Sequence, residues 1–213
     1  MQIAILLYDR FTALDAVGPY EVLSRLPNAK VTFVAERAGL VRTDTRQLSL
    51  DADAALGEVD RPDLVVVPGG PGQAALMEDG PVHEWLRAAH DHSTWTTSVC
   101  TGSLILAAAG LLEGKRATSN WQALDQLREL GADVEEKRVV FDGKLATAAG
   151  VTAGIDMALA LAARIAGEQV AQAIQLGIEY DPEPPFDAGS PASAPTEVVE
   201  AVRAYSRFAE AAN

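Results

Sequence analysis

Cys100 is the single cysteine of the chain, set in Ser98-Val99-Cys100-Thr101-Gly102-Ser103. Trp95–Val99 before it is rich in Thr and Val and reads as a strand; Ser103–Ala109 after it reads as an Ala/Leu-rich helix ending near Gly110. A side chain at such a corner is held out from the sheet, often at a backbone cost. The amides of Thr101 and Gly102 open the helix, and their N–H groups favour a thiolate and any anion developing beside it. Most free cysteines are small buried hydrophobes. At a strand–helix corner opposite a glycine loop, the reading moves to a nucleophile. The loop is Pro68-Gly69-Gly70-Pro71-Gly72, running directly out of Leu64-Val65-Val66-Val67. Gly70 lacks a Cβ and would let this second backbone approach closely and add donors. It is not a phosphate loop, because the G-x-x-x-x-G-K-[ST] spacing is absent.

Asp15 is the second unusual residue, a carboxylate inside the otherwise apolar Phe11–Pro19. If already helical it shares a face with Val22 and Leu26, where an unpaired charge is costly. Two readings stay open: a helix N-cap, or a semi-buried carboxyl beside the thiolate. In the second, desolvation and like charge favour the protonated acid, able to hand a proton to a substrate. His83, His90 and His92 fall on or next to one helix without an accompanying acidic ligand pattern, so no metal site is assigned.

The elements that must position these groups alternate. Strands are expected at Ile3–Tyr8, Val31–Ala35, Asp63–Val67 and Trp95–Val99. Helices are expected from Gly18-Pro19 to about Leu26, at Pro81–His92, Ser103–Ala109, Trp121–Leu130, Gly154–Ala166 and Glu168–Glu179, and from about Glu197 to Ala211 behind a Thr196 cap. Asp142-Gly143 between Val139–Phe141 and Leu145–Thr147 is a hairpin signal. Asp181–Pro195 holds five of the eleven prolines and reads as an irregular, functional or Ω-type loop. The pattern predicts a doubly wound α/β fold, a mostly parallel, flavodoxin-like sheet with helices on both faces and a small antiparallel hairpin addition. Ligands then bind outside the carboxyl ends of the strands, where Asp15, Gly69-Gly70 and Cys100 all fall.

Composition sets the outer limits. The 213 residues carry 17 Lys+Arg against 30 Asp+Glu, a net charge of −13, and suit one domain over 1–213. The acidic balance argues against nucleic acid as a partner. The lone cysteine fits a reducing compartment. No apolar run approaches the roughly 20 residues of a spanning helix, and the N-terminus reads as a strand rather than a signal peptide. The expectation is a cytoplasmic protein with no membrane role.

Taken together these stretches resemble the ThiJ/PfpI superfamily, of the class I glutamine-amidotransferase-like fold. The similarity is carried by Leu14-Asp15-Ala16-Val17-Gly18-Pro19, Val67-Pro68-Gly69-Gly70-Pro71-Gly72, Thr97–Ser103, Gly150–Asp156, Glu179-Tyr180-Asp181-Pro182 and Pro184–Pro191. Within the superfamily the resemblance is to the isonitrile (isocyanide) hydratase group. It implies Cys100 as nucleophile, Asp15 as its acidic partner, Thr101 lining the pocket, and backbone N–H groups near Gly70 and Thr101 stabilising an anion. The implied chemistry converts an isonitrile, a small-molecule substrate, and water to an N-formamide without a cofactor. It also implies a homodimer.

Many members carry a histidine shortly after the nucleophile helix; here Asn120 holds that place, in Thr118-Ser119-Asn120-Trp121. Asn is no general base, which argues against a Cys–His protease and weakens a glyoxalase reading. Two other readings compete. Pro184–Pro191 also resembles the sensor domain of AraC-type regulators, although this chain ends about one helix later and is acidic. Cys100 could alternatively sense oxidant.

Overall fold

Leu64–Val67 is buried at every residue, which a strand tolerates only with neighbours on both edges and cover on both faces. It lies near the middle of a seven-stranded sheet. The computed structural model describes residues 1–205. In chain order its first elements are β1 (Gln2–Leu6), α1 (Ala13–Leu23), β2 (Lys30–Ala35), β3 (Gly39–Arg42), β4 (Ser49–Ala52), β5 (Ala54–Ala55) and β6 (Leu64–Val67). Then follow α2 (Pro81–His92), β7 (Trp95–Val99), α3 (Gly102–Ala108), β8 (Arg116–Ala117), α4 (Leu124–Glu129) and β9 (Asp133–Val134). The last are β10 (Val139–Asp142), β11 (Leu145–Ala148), α5 (Ala153–Ala166), α6 (Glu168–Gly177) and α7 (Thr196–Ala204).

The sheet order is β10-β11-β7-β6-β1-β2-β5, parallel throughout except for β10. From β1 the chain steps outward to β2, whereas from β6 it steps the opposite way to β7. Right-handed crossovers therefore put α1 and α2 on opposite faces. α1 packs on α5 and α5 on α6, while α2 packs on α3. The direction reverses between β1 and β6, which opens a crevice above their carboxyl ends. The doubly wound fold expected from the sequence is the one observed, and the Asp142-Gly143 hairpin forms, with Gly143 at φ +57°. Through β11, parallel to β7, that hairpin extends the main sheet.

Several boundaries differ. α1 begins at Ala13, so Pro19 lies in its interior instead of opening it. Pro19 has no N–H to give the Asp15 carbonyl four residues back, a loss that interior proline normally imposes. Packing outweighs it. A Cβ on Gly18 would stand 3.1 Å from Ile155, and one on Gly154 3.2 Å from Pro19, so the two helices meet at their glycines. The helix ends at Leu23, and Arg25 and Leu26 continue only as tight turns onto Val22 and Leu23. α4 is shorter than the expected Trp121–Leu130, because the Asn120 side-chain oxygen and carbonyl hold Gln122 and Ala123 in a turn. The β3–β4 hairpin and the β8–β9 pair had no expectation. Pro195, not Thr196, precedes α7, and the expected continuation to Ala211 runs outside the described residues. Among the described residues no helix is long and apolar enough to cross a membrane.

Candidate active site

The corner after β7 is sharp. Cys100 has φ +57°, a left-handed conformation that a residue with a Cβ adopts only when its surroundings over-determine it. They do. Its N–H donates to the carbonyls of Ala148 (3.1 Å) and Ala149 (3.0 Å), and its own carbonyl accepts from Ser103 Oγ (3.2 Å) and Ser119 Oγ (3.0 Å). Gly102 lets α3 start against the end of β6, where a Cβ would fall 2.1 Å from the Val67 carbonyl oxygen.

The two loop glycines have separate jobs. Gly69 faces the elbow: a Cβ there would lie 2.4 Å from Thr101 N and 2.9 Å from Cys100 Cβ. Gly70, at φ +140°, faces the loop after β1, where a Cβ would lie 2.6 Å from both Arg10 O and Thr12 N. Neither amide is idle. Gly69 N–H donates to Asp15 Oδ2 and Gly70 N–H to Thr101 Oγ1, each at 2.9 Å. Gly69 thus joins the Asp15 carboxylate to the Cys100 corner, and Asp15, Cys100 and Thr101 are all fully buried. Asp15 sits in the first turn of α1, and Thr12 occupies the N-cap position that one sequence reading had offered it.

Burial, and next the Asp15 charge, push the Cys100 thiol far above its usual range. The N–H groups of Thr101 and Val151 and the Asn120 side chain oppose this by hydrogen bonding to the charged sulfur. Asn120 is oriented for that contact. Its Oδ1 accepts from Gln122 N–H (3.0 Å), and its Nδ2 lies where a Cβ on Gly150 would come within 3.1 Å. Tyr8 completes the surroundings. Its hydroxyl donates to the Pro68 carbonyl (3.0 Å), and burial followed by Asp15 and Cys100 raises its pKa.

The structure therefore gathers all six residues singled out in the sequence: Cys100, Asp15, Gly69, Gly70, Thr101 and Asn120. Val151 and Tyr8 were missed. Val151 lies in Gly150-Val151-Thr152-Ala153-Gly154, where two glycines at a helix start could have marked a close approach, and Tyr8 is the polar tip of the first apolar run. A cavity of about 530 Å³ opens beside the ends of β1 and β2, among Tyr8, Arg37, Leu40 and Val82, but Cys100 does not line it. The histidines are engaged elsewhere: His83 with the Leu76 carbonyl, His90 with Thr96 Oγ1, His92 with Arg61. Among the described residues no group of three or more His, Cys, Asp or Glu is gathered to hold a metal ion.

The profile of the DJ-1/PfpI family matches residues 1–164, a span containing every residue of this site. The chain belongs to the DJ-1/PfpI family. Its relatives in that family include the isonitrile hydratase of Pseudomonas putida, 45% identical over 203 residues, covering 95% of this chain and 89% of that one. A ThiJ/PfpI family protein of Pseudomonas syringae superposes with a TM-score of 0.94 at 39% identity, covering 99% of this chain and 88% of that structure. The transcriptional regulator CdhR of Pseudomonas aeruginosa is 36% identical over 126 residues, 58% of this chain and 37% of the regulator. The elbow, the glycine loop and the acid of α1 come together near the crevice between β1 and β6, within the span that the family profile matches.

Proposed function

We propose that this chain is a cysteine-dependent isonitrile hydratase, converting R–N≡C and water to R–NH–CHO. What carries the reading is the buried Cys100–Asp15 pair, coupled through Gly69 with no histidine engaged at the thiol, in a chain so similar to an isonitrile hydratase. A Cys–His enzyme takes its proton through imidazole. Here the described residues place no histidine at the sulfur, and the acid beside it is the Asp15 carboxyl. Two adjacent acids in a dry pocket do not both ionise, so the pair shares one proton.

With the proton on Asp15, the thiolate is held by the Thr101 and Val151 amides and Asn120. The sulfur adds to the terminal carbon of the isonitrile, and that carbon takes the proton from Asp15, giving the thioimidate R–N=CH–S–Cys100. Asp15, now a carboxylate, draws a proton from water as the water oxygen adds to the same carbon, and hands that proton to the nitrogen. The tetrahedral adduct collapses with cleavage of C–S as Asp15 takes the hydroxyl proton, releasing the formamide, returning the thiolate to its three donors and restoring the proton on Asp15. Gly69 and Gly70 hold Asp15 and Thr101 in place. The slender, linear isonitrile group suits a thiol with no exposed surface. The same reading takes residues 1–213 as one domain, working in the cytoplasm as a homodimer.

The test is incubation of the purified protein with an aryl isonitrile, following N-formamide by absorbance and mass. Wild type turns over. Cys100→Ala is inactive, and Asp15→Asn loses at least about 100-fold, the scale of a positioned acid–base group. Asp15→Asn also quickens iodoacetamide alkylation of Cys100, because the charge that holds the thiol up is gone. Absence of turnover in folded wild type removes the hydratase reading and turns attention to a sensor like the regulator domain.

A further inference from the structure

The mechanism leaves unused a half-exposed cluster of charged and polar groups around the start of α5. Arg138, just ahead of β10, donates through Nε to Asp156 Oδ2 and through Nη2 to Thr152 Oγ1 (3.2 Å). Asp156 Oδ1 accepts from the Tyr180 hydroxyl (3.0 Å), beyond the end of α6. Asp156 lies in the first turn of α5, Thr152 is its N-cap, and Val151 immediately before supplies an N–H to the Cys100 sulfur. The backbone of Arg138 reaches the same corner from the other side. Its carbonyl accepts from Ala149 N–H (2.9 Å), and the Ala149 carbonyl accepts from Cys100 N–H (3.0 Å). One residue thus braces both the elbow and the helix start that faces it.

We propose that Arg138, Asp156 and Tyr180 are positioning residues, a bracket that fixes the first turn of α5 and so holds the Val151 N–H against Cys100. This rests on Cys100 being the nucleophile. A single exposed ion pair contributes little, but four groups joined across β10, α5 and the end of α6 form a network with a defined geometry. Asp156 also suits a helix N-terminus by charge alone. A test must therefore separate positioning from charge.

Asp156→Asn separates them by sign. Removing a negative charge from the first turn of α5, by itself, does not make ionisation of the thiol harder. Releasing the Val151 amide makes ionisation harder. Arg138→Lys keeps the charge but loses the two-armed hold, and Tyr180→Phe changes no charge. The readout is the rate of Cys100 alkylation by iodoacetamide across pH, which below the thiol midpoint is proportional to the thiolate fraction. The bracket requires Asp156→Asn and Arg138→Lys to react about fivefold or more slowly at a given pH, and Tyr180→Phe about twofold, as expected for loss of part of a hydrogen bond to a charged group. Loosened structure would only admit the reagent faster, so slowing cannot come from access. Turnover of the isonitrile falls in kcat with KM little changed. Unchanged or faster alkylation in Asp156→Asn and Arg138→Lys overturns the proposal. Should Asp156→Asn not fold, the other two variants decide. If wild type turns over no isonitrile while alkylation slows as stated, the bracket stands and the substrate reading falls; if turnover is intact and alkylation unmoved, only the bracket falls.

Discussion

At the scale of single residues, the site depends on atoms that are absent. Gly69 is the clearest case: a methyl group there has 2.4 Å to the Thr101 nitrogen, a backbone atom that cannot swing aside. Gly69→Ala must push the loop away from the elbow, lengthening the bond from Gly69 N–H to Asp15. Overpacking of this kind costs about 1–3 kcal/mol, and misplacing the acid costs about 100-fold in turnover. Thermal unfolding and isonitrile turnover on the same sample check both; an alanine variant with wild-type activity would show that Asp15 does not need that loop. Cys100 and Asp15 were legible in the sequence because each violates its context, a thiol at a corner and an acid in an apolar run. Val151 was not legible, because its contribution is a backbone N–H that every residue but proline has. Only its place in space makes it functional.

At the scale of elements, periodicity and turn chemistry located the strands and helices, and tertiary contact moved their ends. α1 is the instructive instance. Gly18-Pro19 reads as a helix start, yet the close packing of Gly18 on Ile155 and of Pro19 on Gly154 carries the helix through both. That earlier start puts Asp15 in the first turn, pointing at Gly69. The β3–β4 hairpin escaped notice because β3 only alternates half-buried with exposed residues and β4 buries only Ala52, which leaves neither strand an apolar signature. α2 makes a prediction of its own. His90 is half-buried with Nδ1 2.8 Å from Thr96 Oγ1, and burial, then Lys144, lower its pKa below the usual 6.5. The folded state therefore binds this proton less readily than the unfolded chain. The stability His90 contributes as a neutral ring is present above pH 6.5 and is lost as pH falls through its folded value. Denaturant unfolding at a series of pH values should show this slope, and His90→Gln should flatten it; an identical slope in the variant would assign the loss to other groups.

At the scale of the whole molecule, a net charge of −13 keeps copies apart, while large apolar side chains invite contact. Leu40 is 77% exposed on β3, and Leu14 stands 39% exposed one residue from Asp15. A homodimer that covers this surface near the site is expected, and light scattering at working concentration checks it; a monomer there refutes the assembly. The order in which the chain emerges during synthesis adds a last consequence. The Cys100 amide is held by carbonyls at positions 148 and 149, and its sulfur by the amide of Val151. These groups lie some fifty residues downstream, across a parallel pairing of the kind that forms late. Until β11 and the start of α5 have left the ribosome, the Ser103 and Ser119 hydroxyls can reach the Cys100 carbonyl but no partner holds its amide, and it remains an ordinary thiol on an unfinished strand. The nascent polypeptide thus carries an exposed thiol in its ordinary range, and burial raises and shelters that thiol only when the elbow and the walls that enclose it come into being together.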